Sequence, residues 1–174
     1  TGVTLEPRCQ IADWRTAEQQ LTVYHSQQAP HMMQDLYARQ FDIPESSVRV
    51  ICKDVGGSFG IKVHAYPDDF ATVALSMMLG RPVKWIETRS ENMSVSHHGR
   101  DQIAYTKMGA KSDGTITAFH VKIIADFGAY NMLLTPLIPS LGAFVMGGCY
   151  KIPNVQTDIT GVFTNKCPTD AIRG

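Results

Sequence analysis

An apolar segment runs directly into a glycine-rich loop in the stretch Val48-Arg49-Val50-Ile51-Cys52-Lys53-Asp54-Val55-Gly56-Gly57-Ser58-Phe59-Gly60-Ile61-Lys62. The β-branched residues at its start predict a strand. The glycines that follow permit positive φ angles and let the backbone lie close to a ligand. Successive N–H groups in such a loop suit an anion. The loop matches neither G-x-G-x-x-G nor G-x-x-x-x-G-K-[ST], so by itself it leaves a tight structural turn and a phosphate or cofactor cradle equally open.

The composition is that of an ordinary globular protein. The 174 residues are 44% apolar and 18% charged, and their formal net charge is zero. Nucleic-acid and membrane-surface partners usually require a basic excess, which this chain lacks. No signal peptide and no apolar run of transmembrane length is recognisable, so we expect a cytoplasmic protein. The chain begins without Met, and we expect residues 1–174 to be a single partial domain of a longer polypeptide.

The cysteines are widely spaced, at Cys9, Cys52, Cys149 and Cys167. Without a C-x-x-C pair, a zinc or iron–sulfur site within the chain is not expected. Two disulfides remain an alternative, but without a secretory signal we favour buried free thiols.

Local patterns predict a β-α-β crossover in the first half of the chain. Leu21–Tyr24 alternates as a strand, His31–Phe41 has helical spacing behind Pro30, and Ser46–Cys52 is the next strand. A second helix begins at Pro67 and ends at Gly80. Its predicted apolar stripe consists of Phe70, Val73, Ala74, Met77 and Met78.

The second half predicts a long hairpin and little helix. A short strand at Val83–Ile86 and a helical turn at Ser90–Ser94 come first. Asp101–Ala110 and Thr115–Asp126 then alternate around the turn Lys111–Gly114. Residues 131–148 predict a loop with a short buried helix, and Val155–Asn165 a final strand. The fold class is therefore α+β (mixed α/β), with two or three packed helices.

Nine short segments, in order along the chain, together resemble the large subunit of molybdenum hydroxylases. The family includes xanthine dehydrogenase, aldehyde oxidoreductases and aerobic carbon monoxide dehydrogenase. The segments are Leu5–Arg8, Ser26–His31, Asp54–Lys62, Arg81–Trp85, His98–Arg100, Asp126–Tyr130, Tyr150–Asn154, Thr164–Asn165 and Ala171–Gly174. The resemblance implies that residues 1–174 are the N-terminal part of a larger molybdopterin-binding region.

This resemblance also implies the cofactors and partners. Molybdopterin, in its plain or cytosine dinucleotide form, would carry molybdenum and hydroxylate an activated carbon with oxygen from water. Electrons would pass to [2Fe–2S] clusters and FAD on a small and a medium subunit or on other domains. The cofactor brings the chemistry, and the protein positions it. The chain alone would be inactive, and its apolar surface would favour self-association.

Three parts of the chain are expected to contact the cofactor because they match the family's motifs. Gln28, followed by Ala-Pro-His, resembles a glutamine that hydrogen-bonds an oxygen ligand of molybdenum. The loop residues Gly57, Ser58, Phe59 and Gly60 resemble the segment that approaches the dithiolene end of the pterin, although the family often has Gly where Ser58 stands. The third part is Arg173, near the end of the chain.

Arg173 matches a family arginine near the substrate pocket, where its backbone N–H rather than its charge would face the metal's oxygen ligands. Molybdenum would be held by the pterin dithiolene, with no direct protein ligand. The general base of the family lies downstream of residue 174, so no catalytic residue is expected within the chain. Glu87 and Arg89 are expected to form a structural ion pair, and His97 and His98 to make local hydrogen bonds.

Departures from the family at the substrate pocket narrow the substrate class. Purine-oxidising members carry a glutamate and an arginine where this chain has Val63 and Leu141. Carbon monoxide dehydrogenases carry a copper-binding cysteine where it has Gly174. These substitutions favour an aldehyde or an N-heteroaromatic substrate, because a buried purine would lose about 1–3 kcal/mol for each missing partner.

Two other functions remain open. The chain could be a non-catalytic binding or assembly module that retains the fold without the cofactor. A nucleotide-binding domain is weaker, because no acidic residue follows the loop at the spacing of a dinucleotide-binding fold.

Overall fold

A computed structural model describes residues 2–173 of the chain. The chain divides by packing into two compact units. Among these residues, the first unit comprises residues 2–96 and 172–173, and the second runs from His97 to Ala171. Helices and mixed sheets make up both, which confirms the α+β class. The assignment of residues 1–174 to one partial domain remains a prediction.

Within residues 2–173 there are four α-helices and seven strands. The helices are α1 Pro30–Phe41, α2 Pro67–Leu79, α3 Arg89–Val95 and α4 Leu137–Phe144. The strands are β1 Cys9–Arg15, β2 Gln20–His25, β3 Val48–Ile51, β4 Val83–Ile86, β5 Gln102–Ala110, β6 Ile116–Asp126 and β7 Val155–Val162.

The sheet of the first unit has the order β3-β2-β1-β4. Strands β2 and β3 are parallel neighbours joined by α1, so the predicted crossover is confirmed. Strand β1 is antiparallel to both β2 and β4. The predicted strand Ser46–Cys52 is shorter than expected, because Glu45–Ser47 form a 3-10 turn before β3 begins.

Strand β1 was missed because its inward and outward residues do not separate by polarity. Its buried positions are Gln10, Ala12 and Trp14, whereas the apolar Ile11 faces outward. Gln10 is accommodated because its amide nitrogen donates to the carbonyl of Asp69 at 2.8 Å. An alternation rule based on apolar residues cannot identify such a strand.

The first core lies between this sheet and the helices α1 and α2. Its fully buried side chains include Leu21, Val23, Met33, Tyr37 and Val73. The predicted apolar stripe of α2 is partly wrong, since Met78 is 80% exposed. The buried positions of α2 are Asp69, Thr72, Val73 and Ser76.

Polar residues can occupy that buried face because the surrounding backbone pairs with them. Ser76 Oγ accepts a hydrogen bond from the Trp14 N–H at 2.9 Å and donates to the Arg81 carbonyl. Thr72 Oγ1 donates to the Asp68 carbonyl. Buried polar groups are tolerated where each finds such a partner.

The second unit has a sheet of order β5-β6-β7. The hairpin β5–β6 is antiparallel as predicted, and its turn places Gly114 at φ 87°. Strand β7 runs parallel to β6 and ends at Val162, three residues before the predicted end. Helix α4 was expected to be buried, but of its eight residues only Pro139 is, so that expectation is wrong.

No disulfide joins cysteines within residues 2–173. Cys9, Cys52 and Cys167 are half-buried and Cys149 is exposed, so full burial of the thiols was not a correct expectation. None of the helices in this part of the chain is both long and apolar enough to cross a membrane.

Candidate functional site

The candidate site lies at one edge of the first sheet. Because β2 and β3 are parallel neighbours, the segments that leave them, residues 26–29 and 52–62, emerge at the same edge. The chain before β1 reaches that edge too, since β1 is antiparallel to β2 and the Ser26 N–H donates to the Cys9 carbonyl. Carboxyl ends of adjacent parallel strands are a recurrent place for ligands.

The glycine-rich loop adopts left-handed backbone angles at three positions. Gly57 has φ 97°, Phe59 φ 54° and Gly60 φ 98°. Phe59 is the most informative of the three, because a bulky residue is strained in the left-handed region. Residues with such strain are common at functional sites. The turn closes through a hydrogen bond from the Ile61 N–H to the Ser58 carbonyl at 3.1 Å.

Two donors of this loop remain available to a ligand. No acceptor for the backbone N–H of Phe59 or of Gly60 is found among residues 2–173. The Phe59 ring beside them is 47% exposed. The loop therefore offers two N–H groups next to an apolar surface.

Gln28 faces this loop and contacts it twice. Its backbone N–H donates to the Lys62 carbonyl at 2.8 Å, and its side-chain Oε1 accepts the hydroxyl proton of Ser58. The neighbouring Gln27 is buried, and its amide nitrogen donates to the His64 carbonyl at 3.2 Å. Gln28 is thus the exposed glutamine of the pair, with its Nε2 left as a donor.

Arg173 completes the arrangement from the far end of the chain. Its backbone N–H donates to the Phe59 carbonyl at 2.9 Å, and its own φ is 47°. Its guanidinium carbon lies 6.0 Å from the centroid of the Phe59 ring. The N–H expected to face a metal-bound oxygen is therefore engaged by Phe59, and the side chain is the part of Arg173 that remains exposed.

Next to the loop, the buried Lys62 and Ser26 and the partly buried Glu6 form a cluster of charged and hydroxyl groups. Lys62 Nζ donates to Glu6 Oε2 at 2.6 Å and to Ser26 Oγ at 2.7 Å. The Gly56 N–H donates to the same Glu6 oxygen at 2.8 Å. Burial by itself would raise the pKa of Glu6, but the hydrogen bonds from Lys62, Ser26 and Gly56 together hold that pKa below its usual value.

The expected substrate-pocket residues belong to different units of the chain, and their role remains a prediction. Val63 is half-buried just after the loop, in the first unit. Leu141 lies on α4 of the second unit and is 50% exposed. Gly174 lies outside the described residues.

The expected ion pair between Glu87 and Arg89 is wrong. Glu87 instead accepts two hydrogen bonds from the Arg8 guanidinium, at 2.7 and 3.1 Å, in a fully buried pair. Arg89 donates to the Leu5 carbonyl at 3.0 Å. Antiparallel pairing of β1 with β4 places Arg8 opposite Glu87, and the Glu87 N–H donates to the Arg8 carbonyl at 2.9 Å.

The expected local hydrogen bond of His97 is confirmed, since its Nε2 lies 2.9 Å from the Ala171 carbonyl oxygen. Burial lowers the pKa of His97, so the neutral ring donates to that carbonyl.

The sequence reasoning missed Glu6, Ser26 and Lys62 as one cluster. None of the three was among the predicted site residues. The available signal was that all three lie inside the segments that carry the family resemblance, with Lys62 embedded between apolar residues. A lysine at such a position usually needs a buried acidic partner.

A groove of the first unit adjoins the cluster around Glu6. It has a volume of about 290 Å³ and is lined by Glu6 and Ser26 together with apolar residues of the sheet such as Ile11 and Ile51. Its lining includes neither Gln28 nor Phe59.

Metal ligands of the usual kinds do not gather in the described part of the chain. No group of three or more His, Cys, Asp or Glu side chains within residues 2–173 could hold a metal ion. The site therefore offers N–H groups, an amide, a guanidinium and an aromatic ring.

Known proteins resemble this chain along its whole length. It is 38% identical, over 91% of its residues, to the large chain of carbon monoxide dehydrogenase from Hydrogenophaga pseudoflava, of which it covers 20%. It is 33% identical, over 98%, to the nicotine 6-hydroxylase large subunit of Paenarthrobacter nicotinovorans, of which it covers 21%. The chain thus spans about a fifth of the length of the curated relatives it matches.

Solved structures share the fold of this chain. Quinoline 2-oxidoreductase from Pseudomonas putida 86 superimposes with a TM-score of 0.94 and 36% identity, over 98% of this chain and 22% of that one. The family model of the molybdopterin cofactor-binding domain matches residues 1–174. The chain therefore belongs to the molybdopterin cofactor-binding domain family, whose members here are large subunits of molybdenum oxidoreductases.

Proposed function

We propose that this chain forms one wall of the molybdenum site in the large subunit of an oxidoreductase that hydroxylates an aldehyde or an N-heteroaromatic carbon with oxygen from water. The observation that carries this proposal is the meeting of Gln28, the loop 57–60 and Arg173 at one sheet edge. These three parts of the sequence lie far apart along the chain.

The donor set fits an oxygen-rich cofactor. The backbone N–H groups of Phe59 and Gly60 have no acceptor within residues 2–173, and both residues have left-handed backbone angles. Gly57 has no side chain to cover the loop, and its φ of 97° disfavours replacement. Such backbone nests favour anionic oxygen atoms.

The amide of Gln28 is oriented by its neighbour. When Ser58 donates to Oε1, the amide nitrogen Nε2 remains as a donor toward an oxygen atom of the cofactor. A neutral amide donates without placing a second charge beside that oxygen. Molybdopterin, when bound, supplies the two-electron redox chemistry that protein side chains lack.

Phe59 and Arg173 have positioning and shielding roles in this proposal. The half-exposed Phe59 ring limits the approach of water, and the Arg173 guanidinium near it offers a positive charge toward the substrate side. The proton acceptor for the reaction lies outside residues 1–174. The isolated chain is therefore without turnover.

Relatives support the heteroaromatic half of the substrate proposal. Two of them are named for nicotine and quinoline, which are N-heteroaromatic compounds. Val63 and Leu141 supply apolar surface where a purine would need hydrogen-bond partners. Each polar group of a bound purine that is left unpaired would cost about 1–3 kcal/mol. Gly174 offers no thiolate for a copper ion.

The matched relatives are large subunits, which supports the proposed partners. We assign [2Fe–2S] clusters and FAD to a small and a medium subunit, molybdopterin in its plain or cytosine dinucleotide form to this subunit, and the cytoplasm as location. The isolated chain self-associates through exposed apolar residues such as Phe144 and Val145, which are 86% and 72% exposed.

The test uses the full-length protein matured with its partner subunits. Molybdenum and pterin are quantified first, and the absence of both would refute the proposal in favour of a non-catalytic module. Gln28→Ala is then compared with Gln40→Ala, an exposed glutamine of α1. We expect kcat to fall about 100-fold for Gln28→Ala, as for other single donors to a reacting oxygen, and to stay unchanged for Gln40→Ala.

A further inference from the structure

Glu6 Oε2 is the centre of a partly buried hydrogen-bond cluster next to the loop, in which the Glu6 side chain is 34% exposed. It accepts from Lys62 Nζ at 2.6 Å, from Ser26 Oγ at 2.6 Å and from the Gly56 N–H at 2.8 Å. Lys62 Nζ donates in addition to Ser26 Oγ at 2.7 Å, so the serine hydroxyl accepts from the lysine and donates to the glutamate. The Lys62 side chain is fully buried.

The cluster ties together three segments that are distant in sequence. Glu6 precedes β1, Ser26 follows β2, and Gly56 and Lys62 stand at the two ends of the loop after β3. One carboxylate oxygen therefore contacts both ends of the loop and the segment that leads to Gln28.

Backbone hydrogen bonds reinforce the same connections. The Glu6 N–H donates to the Gly56 carbonyl at 3.1 Å, and the Gln28 N–H donates to the Lys62 carbonyl at 2.8 Å. The cluster thus determines where the loop lies relative to Gln28.

Close packing at Gly56 adds a steric constraint. A Cβ atom on Gly56 would lie 2.5 Å from the Cβ of Glu6. Such a distance is shorter than any real contact between carbon atoms, so the loop backbone lies directly against Glu6. A side chain at position 56 would therefore displace either Glu6 or the loop.

We propose that Glu6, Ser26 and Lys62 form a loop brace that sets the position of the Phe59 and Gly60 N–H groups relative to the Gln28 amide. Glu6 and Lys62 are then positioning residues, because they touch neither cofactor nor substrate themselves. The proposal rests on the cofactor-side role proposed above for the loop and for Gln28. It adds that a charge pair behind the site determines the geometry of these donors.

Charge and burial explain why such a brace would be rigid. A buried lysine whose carboxylate partner is removed is strongly destabilised, so the pair resists opening. Hydrogen bonds to ionised groups are also shorter and stronger than neutral ones. Replacement of supporting residues of this kind typically lowers metal affinity or activity by about 10–100-fold.

The experiment uses the full-length protein with its partner subunits and three variants. Lys62→Met removes the charge at similar length, and Glu6→Gln keeps the shape of the acceptor if Lys62→Met does not fold. Ser76→Ala is the control, because Ser76 is fully buried and hydrogen-bonded to Trp14 but has no contact with the loop.

Amide hydrogen exchange is the first measurement. We expect peptides that cover residues 54–62 to exchange about tenfold faster or more in Lys62→Met and Glu6→Gln, which corresponds to about 1.4 kcal/mol of local stability. The same peptides should be unchanged in Ser76→Ala. Unchanged exchange in both brace variants would overturn the proposal.

Molybdenum content and the electron paramagnetic resonance spectrum of reduced molybdenum form the second measurement. We expect the brace variants to lose metal or to shift the spectrum, with kcat lowered about 10–100-fold and KM little changed. Faster loop exchange with metal, spectrum and kcat all as in the wild type would show a purely structural cluster and overturn the positioning role.

The two proposals fail in different ways. A wild-type complex without molybdenum would refute the proposed function, whereas the exchange rates would still decide whether the brace holds the loop. A wild type with molybdenum and brace variants with an unaltered loop would refute the brace and leave the proposed function standing.

Discussion

The backbone N–H of Arg173 donates to the carbonyl oxygen of Phe59 at 2.9 Å, and both residues have left-handed backbone angles. A backbone hydrogen bond thus joins two residues that are separated by more than half of the chain. The contact uses the backbone, while the Arg173 side chain lies near the Phe59 ring at 6.0 Å.

Replacing Arg173 with Gly should separate these two contributions. Glycine keeps the N–H and accepts φ 47° without strain, so the loop should keep its geometry. We expect unchanged molybdenum content and a loss in kcat/KM of less than about tenfold, in line with the modest strength of an exposed cation–π contact. Steady-state kinetics and metal analysis of the full-length enzyme measure both, and loss of the metal would contradict the backbone role.

Ser58 should affect turnover through Gln28. Its hydroxyl donates to Gln28 Oε1, so Ser58→Ala leaves the amide without an orienting partner. A hydrogen bond worth about 0.5–1.5 kcal/mol predicts a fall in kcat of roughly 2–10-fold. Ser58→Thr keeps the hydroxyl and should restore most of the rate. Equal rates for the alanine variant and the wild type would show that the hydroxyl does not orient the amide.

Glu6 should contribute to acid sensitivity. Its pKa in the folded protein lies below the ordinary value of a glutamate, so the unfolded state binds the proton more readily. The stability that this difference provides is present above about pH 4.5 and is lost as the pH falls through the folded pKa. Glu6→Gln should therefore be less stable at neutral pH and lose less stability on acidification.

Denaturant unfolding of the full-length protein between about pH 6 and about pH 3 tests this prediction. Glu18→Gln is the matched control, because Glu18 is exposed in the turn between β1 and β2. Parallel acid profiles for the wild type and Glu6→Gln would contradict the predicted linkage.

Gly128 should be intolerant of a side chain for two reasons. A Cβ atom there would lie 2.6 Å from the Cys167 carbonyl oxygen and 2.6 Å from Pro168 Cα, and the residue has φ 73°. Gly128→Ala should therefore cost about 2–5 kcal/mol, the sum of backbone strain and overpacking.

A comparison with Gly114 separates the cost of backbone strain from the cost of overpacking. It has φ 87°, but nothing lies within 4 Å of a Cβ atom there. Gly114→Ala should cost only the backbone term of about 1–2 kcal/mol. The free energies of unfolding of the two variants are compared in the full-length protein, and equal losses would show that the contacts at Gly128 can relax.

Local signals made α1, α2 and the hairpin predictable. Pro30 and Pro67 mark helix starts, Gly80 has the left-handed angle of a helix end, and Gly114 turns the hairpin. These features depend on residues close in sequence. Strand β1 could not be found in this way, because its buried Gln10 is satisfied by a helix 58 residues further along the chain.

The candidate site shows the same difference between features that depend on neighbouring residues and features that depend on distant ones. Motifs in the sequence identified Gln28, Phe59 and Arg173, although their contact with a cofactor stays a prediction. The hydrogen bond between Ser58 and Gln28, and the bond between Arg173 and Phe59, were not predictable from residue types. The partner of Glu87 was wrongly predicted for the same reason, since the pairing of β1 with β4 places Arg8 opposite it.

By itself, the sequence determined the α+β class, the family and the order of most helices and strands, because periodicity, caps and motifs act over short stretches of chain. The tertiary structure alone decided that Glu6, Ser26 and Lys62 meet beneath the loop. Parallel pairing of β2 with β3 and antiparallel pairing of β1 bring their segments to one edge. Which charges then become buried partners depends on that pairing rather than on spacing along the chain.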